Sequence, residues 1–246
     1  MPAVHDDAIC IRLWDWSETS QTVSLFCRSH GVVRGLAKGA KREDARFSGG
    51  FELFTRGQAG MILKNADAMA TLTGWDLSET FPAARRSLPA FYSSMAMLDL
   101  VHHMVRDHDP HPALFDGFLR ASRRLGEREE SIGALLDFLW TLLSEAGFRP
   151  ELESDVRSGE TLNTGGVLVF DPRSGGFTHS RLGAADEQWR VRVQTLHVLR
   201  QLAGAGTPSC GVEDALRAAK LLGAYVRETA GAPVGSLGDA FRALTV

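Results

Sequence analysis

A cationic segment of the chain lies between residues 28 and 46. It holds six Lys or Arg residues against two acidic ones, a formal local charge of +4, whereas the whole 246-residue chain carries −3. Within it, the run Lys-Gly-Ala-Lys-Arg at 38–42 separates cations by small residues, which suits contact with a phosphate backbone. The alternative is a solvated charge run, the usual role of such segments. The contrast with the acidic remainder favours polyanion binding.

A His-rich segment at 102–111 is the second group with potential chemistry. His103 and Asp107 stand four residues apart and would share a helix face as two metal ligands. Pro110 and Pro112 place the rest of the segment in a loop, and no His-Glu-x-x-His spacing occurs. We interpret the segment as a helix end with histidines near the negative end of its dipole, and predict no metal site.

Signals of covalent catalysis or nucleotide binding are absent from the sequence. There is no Gly-x-Ser-x-Gly motif, no phosphate-binding loop and no Gly-x-Gly-x-x-Gly turn. The three cysteines share no Cys-x-x-Cys spacing, so neither a disulfide framework nor a zinc knuckle is indicated. We predict no catalytic residue, no cofactor and no enzymatic activity.

The composition is that of a globular protein, with 44% hydrophobic and 23% charged residues. No opening segment combines a basic start with an apolar run, and the most apolar stretch, 133–148, is interrupted by polar residues. We therefore expect no membrane association and a cytoplasmic location.

Two different periodicities divide the chain near residue 80. Alternating apolar residues predict five short strands at 8–14, 22–27, 31–37, 51–64 and 69–77. Five short strands with one long basic loop fit a small closed barrel better than an open sheet.

Beyond Pro82 the period becomes helical. We predict helices at 83–106, around 114–119, at 131–146, 185–203 and 212–229, and from 236 onward. The helix at 131–146 is apolar nearly all round, which predicts a place at the centre of a bundle. Residues 151–180 lose the helical period, and a small β-hairpin is expected there around the turn 171–176. The predicted fold class is α+β: a β-barrel domain at 1–80, then a mainly α-helical domain at 81–246.

Several segments, in this order and spacing, resemble the RecO family of bacterial recombination mediators and DNA repair proteins. They include AICIRLWDWSETSQTVSLFCRSHGVVRGLAKGAKR, ARFSGG, TLTGWDLSETFPAAR, HPALFDGFLRA, AGFRPEL and LLGAYVRETAGAPVGSL. The resemblance implies an oligonucleotide/oligosaccharide-binding (OB) barrel followed by helices. It also implies binding of single- and double-stranded DNA, strand annealing without ATP, work with RecR and the single-stranded-DNA-binding protein SSB to load RecA, and association with the nucleoid.

The resemblance also implies which residues contact DNA. The basic barrel positions of the family fall on Arg34, Lys38, Lys41 and Arg42, and less closely on Arg12 and Arg46. Many RecO proteins hold zinc with two Cys pairs, but the first pair falls on Asp155 and Ser158 here, and the second is also missing. We expect no zinc, with the hairpin instead held by packing of four residues: Val167, Val169, Phe170 and Phe177.

Two further groups of residues are candidates for binding. Aromatic residues near the barrel could stack bases, as in other OB folds, although large aromatics at strand period usually pack inward. Of the six, Trp14, Trp16, Phe26, Phe51, Phe54 and Trp75, we predict that Phe26 and Trp16 point outward. The acidic tail of SSB, with its apolar last residues, needs an apolar pocket rimmed by cations. Candidate rim residues are Arg120 and Arg124 on one helix and Arg217 and Lys220 on another.

Three functions remain open from the sequence. The first is a non-enzymatic DNA-binding mediator. The second is a protein-interaction adaptor whose barrel does not bind DNA, which the acidic total charge would favour. The third, an enzyme with a metal held by the His-rich segment, is the least favoured.

Overall fold

The first part of the chain folds into a closed five-stranded barrel. The computed structural model describes residues 3–43, 46–63, 68–165, 167–179, 189–206, 208–231 and 235–245. The barrel strands are β1 (Val4–Asp15), β2 (Gln21–Cys27), β3 (Gly31–Ala37), β4 (Arg56–Ile62) and β5 (Ala70–Glu79). Their order is β1-β2-β3-β5-β4, closed by β4 against β1, and all pairs are antiparallel except β3 with β5. The predicted OB-like barrel is confirmed.

The first three strands are covered on both sides at one end. Alternate residues such as Cys10, Leu25 and Val33 fill the barrel interior. The intervening residues Phe26 and Val32 pack instead into the core of the helical region. Strands with two buried faces carry few polar residues. The packing of Phe26 and Val32 joins the barrel to the helices.

The fourth strand is shorter than predicted. Residues 51–55 precede it, and Phe51 and Phe54 lie buried in the loop that leads into the strand. Phe54 has a positive φ of 56°, which no regular strand accommodates. The predicted end of the strand at Lys64 lies outside the described residues.

In the helical region, the described residues form a short 3-10 helix (Pro82–Arg85) and six α-helices. These are α1 (Leu88–Met104), α2 (Pro112–Arg124), α3 (Arg128–Glu145), α4 (Val193–Ala205), α5 (Val212–Ala230) and α6 (Gly235–Ala243). Helix α3 packs against α1, α2 and α5, which confirms its predicted central position. None of the helices in the described ranges combines the length and apolar character that crossing a membrane requires.

Two helix predictions need correction. The predicted helix at 83–106 is interrupted, because Ser87 is extended and its side chain accepts a hydrogen bond from the Ala90 N–H (3.5 Å) as a new N-cap. The predicted helix at 185–203 begins only at Val193. Arg190 and Val191 form a strand instead, and residues 185–188 lie outside the described residues.

The hairpin predicted within 151–180 is confirmed and belongs to a three-stranded sheet. Its strands are β6 (Leu168–Asp171), β7 (Gly176–His179) and β8 (Arg190–Val191), in the order β7-β6-β8. Phe170 and Phe177 are fully buried with ring centroids 5.3 Å apart, and Val169 is also buried. Val167 was predicted to share this packing, but its side chain is 49% exposed because it precedes the paired strand.

Candidate nucleic-acid interface

The basic loop between β3 and β4 is anchored by apolar residues. Ala40, Phe47 and Phe51 are buried in the barrel core, and the Phe51 ring lies 4.8 Å from that of Trp75. The Gln21 side chain accepts a hydrogen bond from the Phe51 N–H (2.9 Å). Because these buried apolar side chains anchor the loop backbone to the barrel, the cations between them lie at the surface.

The same loop is attached to the turn between β1 and β2. The Lys41 N–H donates to the Thr19 carbonyl (3.0 Å), and the Gly39 N–H donates to Ser20 Oγ (3.0 Å). Gly39 has a φ of +67°, a left-handed conformation that glycine adopts without strain. The cations at 38–42 therefore have a defined position beside residues 16–20.

The six predicted DNA-binding residues fall into two groups. Three form ion pairs with acidic side chains: Arg34 with Asp107 (3.2 Å), Lys41 with Asp15 (2.6 Å), and Arg12 with Asp99. The other three are exposed and form no ion pair with any residue in the described ranges: Lys38, Arg42 and Arg46. Among the described residues, Lys38, Arg42 and Arg46 are therefore cations without an ion pair on this side of the barrel.

The ion pairs differ in how readily they can exchange. The Arg34 side chain is 57% exposed, and exposed pairs contribute only about 0–1 kcal/mol, so a phosphate can replace the carboxylate. Arg12 is less accessible, because its partner Asp99 is mostly buried and also accepts a hydrogen bond from Ser236 Oγ (2.6 Å). Arg12 thus ties β1 to the helical region.

The His-rich segment provides no ligand pair on one helix face, and its His102 adds no positive charge to this surface. Helix α1 ends at Met104, so Asp107 lies beyond the helix that carries His103. Burial lowers the pKa of His102, and the charges of Arg12, His103 and Arg34 lower it further, so His102 is neutral at pH 7. No group of three or more metal-ligating side chains is found among the described residues.

The aromatic residues near the barrel divide as expected, with two exceptions, Phe26 and Trp14. Phe51, Phe54 and Trp75 are buried, and Trp16 is 66% exposed, as predicted. Phe26 was predicted to point outward into solvent, and this is wrong. Its side chain does point out of the barrel, but α2 covers it, with the Phe115 ring at 5.5 Å. Alternation along a strand distinguishes the two faces, but not which face another element covers.

Exposed Trp14 is an aromatic that sequence reasoning did not single out. It lies near the end of β1 and is 52% exposed. The strand alternation in the sequence indicated this exposure, because Trp14 falls on the face opposite Leu13, which packs against the barrel core.

The structure separates the four candidate tail-binding residues into two grooves. Arg217 and Lys220 line a cavity of about 520 Å³, here called the α5 groove, with Trp189, Val191 and Leu221 as its apolar wall. Three further cations that the sequence analysis missed line it as well: Arg190, Arg192 and Arg227. Arg190 and Arg192 were missed because their positions had been assigned to the predicted helix at 185–203.

Arg120 and Arg124 line the other cavity, of about 570 Å³, here called the α2 groove. Arg124 forms an ion pair with Asp137, which also lines this groove. Among the described residues, the α2 groove therefore offers fewer cations without an ion pair than the α5 groove.

Two family models match almost the entire sequence. "Recombination protein O N terminal" matches residues 1–81, and "Recombination protein O C terminal" matches residues 85–238. The chain belongs to the RecO family. The two matches meet where the barrel ends at Glu79 and the 3-10 helix begins at Pro82.

Curated relatives within the RecO family are named DNA repair protein RecO. The protein of Myxococcus xanthus is 32% identical over 210 residues, 85% of this chain and 85% of the relative. That of Geobacter metallireducens is 31% identical over 162 residues, 66% of each chain. That of Bacillus pumilus is 27% identical over 174 residues, 71% of this chain and 66% of the relative.

The residues at the RecO zinc position do not fit a zinc ion. The Asp155 carboxylate accepts hydrogen bonds from the N–H groups of Arg157 (2.9 Å), Ser158 (3.0 Å) and His179 (2.9 Å), and from the Thr178 hydroxyl (2.9 Å). A zinc ligand needs free lone pairs and further N or S ligands arranged as a tetrahedron. Asp155 instead joins the 155–158 turn to β7 by hydrogen bonds alone.

Proposed function

We propose that this RecO family member acts in DNA repair by binding single- and double-stranded DNA through the barrel and annealing complementary strands without ATP. The observation that carries the proposal is the anchored basic loop, which holds Lys38, Arg42 and Arg46 at the surface without an ion pair to any described residue. Arg34 and Lys41 add two cations whose surface pairs a phosphate can displace.

Annealing follows from charge neutralisation. Two DNA strands repel each other, and a surface that neutralises phosphates without holding the base edges lowers that repulsion while leaving the bases free to pair. No bond is made or broken in the protein, so the proposed activity is not enzymatic.

We also propose that the helical region binds partners, with RecR and SSB as the candidates that the RecO resemblance implies, in order to load RecA. The α5 groove suits the acidic SSB tail better than the α2 groove. Its wall is apolar, and among the described residues Lys220, Arg190 and Arg192 carry no ion pair.

An adaptor that does not bind DNA is the second candidate. Its support is that Arg12, Arg34 and Lys41 are each paired with a carboxylate of the same chain, which reduces the positive potential of the surface. The pairs of Arg34 and Lys41 are exposed and weak, so this observation does not outweigh Lys38, Arg42 and Arg46, which form no ion pair with a described residue.

The test is strand annealing without nucleotide, combined with fluorescence anisotropy of a labelled single strand. We expect saturable binding and annealing by the native protein. The triple variant Lys38→Glu, Lys41→Glu, Arg42→Glu should lose annealing while remaining folded.

The matched control reverses three exposed cations elsewhere: Arg86, Arg149 and Arg173. It carries the same formal net charge as the first variant, so it subtracts the effect of overall repulsion. Equal annealing by both variants would contradict the proposed site, and a native protein without saturable binding at low salt would favour the adaptor.

A further inference from the structure

At one end of the outer face of β1, β2 and β3, a row of residues is exposed or only partly buried. Strand register places Trp14 opposite Thr22, and Thr22 opposite Leu36. Ile9, Phe26 and Val32 also lie across these strands, and they are buried against the helices. The helices therefore cover one end of this face and leave Trp14, 52% exposed, at the other end.

Trp16 extends this open end into the turn after β1. Its N–H donates to the Ser20 carbonyl (2.9 Å), which closes the turn, while its side chain is 66% exposed. Two tryptophans exposed within three residues leave a large apolar area in contact with water, which is unfavourable. A ligand that covers both rings removes that area from water.

The surroundings of the two rings identify the chemistry of the ligand. The basic loop is attached to the same turn by the hydrogen bonds of Lys41 and Gly39, so Lys38 and Arg42 lie beside it. Asp15, between the two tryptophans, is neutralised by Lys41 at 2.6 Å. Glu18, in the same turn, is exposed. Aromatic faces flanked by cations suit a polyanion with flat, apolar rings, which describes a nucleic-acid strand.

We propose that Trp14 and Trp16 stack unpaired bases, and that this makes the barrel face select single-stranded over duplex DNA. The inference rests on the proposed function and adds a division of labour to it. Cations of the loop contact the phosphates of any DNA, whereas the two rings engage only bases that are free of a complementary strand. In a duplex both faces of a base pair are already stacked, so the rings have nothing to bind.

The two contributions differ in their response to salt. Phosphate contacts release counterions and weaken as salt rises, but stacking releases none. Removing the rings should therefore lower single-strand affinity by a similar factor at every salt concentration. Removing the cations should instead flatten the salt dependence for both kinds of DNA.

The experiment compares a fluorescein-labelled 30-mer of thymidylate with a labelled blunt 30-base-pair duplex. For the variant Trp14→Ala, Trp16→Ala we expect a loss of at least about tenfold in single-strand affinity, because one stacked base contributes roughly that factor. Duplex affinity should change less than about twofold. The variant Trp14→Phe, Trp16→Phe retains aromatic faces and should recover most of the single-strand affinity. A urea unfolding curve for each variant establishes that it is folded.

The outcomes separate this inference from the proposed function. If the Ala variant binds the single strand as tightly as the native protein, or loses affinity equally for both DNAs, the stacking inference is overturned and DNA binding by the loop stands. If the native protein binds neither DNA, the proposed function fails, and the inference fails with it.

Discussion

At the level of single residues, Asp155 shows how a carboxylate holds the small sheet in place. Burial alone would raise the pKa of this group, but hydrogen bonds from the N–H groups of His179, Arg157 and Ser158 and from the Thr178 hydroxyl hold the pKa far below its ordinary value. The folded protein therefore keeps Asp155 ionised in mild acid, where the unfolded chain would protonate it.

Asp155→Asn should lower the free energy of unfolding by about 1–3 kcal/mol at neutral pH, because the amide replaces one acceptor oxygen with a donor. A folded-state pKa below the unfolded value of about 3.9 means that the stabilisation is complete above that pH. It is lost as the pH falls through the folded-state value. Urea unfolding at pH 7 and pH 2.5 should show the difference between native and variant shrinking in acid.

Glu160→Gln is the matched control. Glu160 and Asp155 line one surface cavity, but the exposed Glu160 side chain makes no hydrogen bond to a described residue. It should change stability little at either pH. An unchanged free energy of unfolding for Asp155→Asn at pH 7 would show that the hydrogen bonds of the carboxylate do not stabilise the sheet.

At the level of elements, the contact between β2 and α2 joins the barrel to the helices. Phe26 fills it, with the Phe115 ring at 5.5 Å and the Phe118 ring at 6.4 Å. Gly31, at the start of β3, must lack a side chain, because a Cβ there would lie 2.3 Å from the Asp109 carbonyl oxygen. Bulk is required at one position of this interface and excluded at the other.

Phe26→Ala should reduce the free energy of unfolding by about 3–5 kcal/mol, since truncating a buried aromatic removes its transfer free energy and leaves a cavity. Trp16→Ala, which truncates an exposed aromatic, should change it by no more than about 0.5 kcal/mol. Equilibrium urea denaturation measures both. Similar values for the two variants would place Phe26 at the solvent-facing surface, contrary to this structure.

Most elements could be predicted because their periodicity is local. The strand at 31–37 and the helix from 212 have nearly the predicted bounds, since each alternates or repeats without interruption. Phe26 was placed wrongly because its burial depends on a helix nearly 90 residues later in the chain. The start of α4 was missed because Trp189 and Val191 continue the apolar spacing while pairing or packing as part of the small sheet.

The site could be predicted in part. Charge density alone located the loop at 38–42, but the ion pairs of Arg12 and Arg34 involve Asp99 and Asp107, which follow more than 70 residues later. The α5 groove was only half anticipated. Arg217 and Lys220 were candidates from their helix, whereas Arg190 in β8 and Arg192 at the N-cap of α4 join them only in the folded chain.

At the level of the whole molecule, two cationic surfaces stand on a chain of net charge −3. The barrel surface carries its cations on an anchored loop, while the α5 groove pairs cations with an apolar wall. An extended polyanion suits the first surface, and a short acidic peptide with apolar terminal residues suits the second.

The α5 groove should bind a peptide of acidic residues ending in two apolar ones. Lys220→Glu should weaken binding about tenfold or more, because a charge reversal replaces attraction with repulsion at the rim. Arg120→Glu, the same type of change in the α2 groove, is the control and should have little effect. Isothermal titration calorimetry measures both, and the reverse order of effects would assign the peptide to the α2 groove.

The salt dependence of single-strand binding tests the central claim most directly: the anchored basic loop of the barrel holds DNA by charge. Three to five cations in contact with phosphates predict a log–log slope of affinity against salt of about −2 to −3.5, at ~0.7 per contact. The variant Lys38→Glu, Lys41→Glu, Arg42→Glu should flatten that slope by about 2, whereas the reversal of Arg86, Arg149 and Arg173 should leave it unchanged. A native slope near zero, or equal slopes for the two variants, would contradict the account.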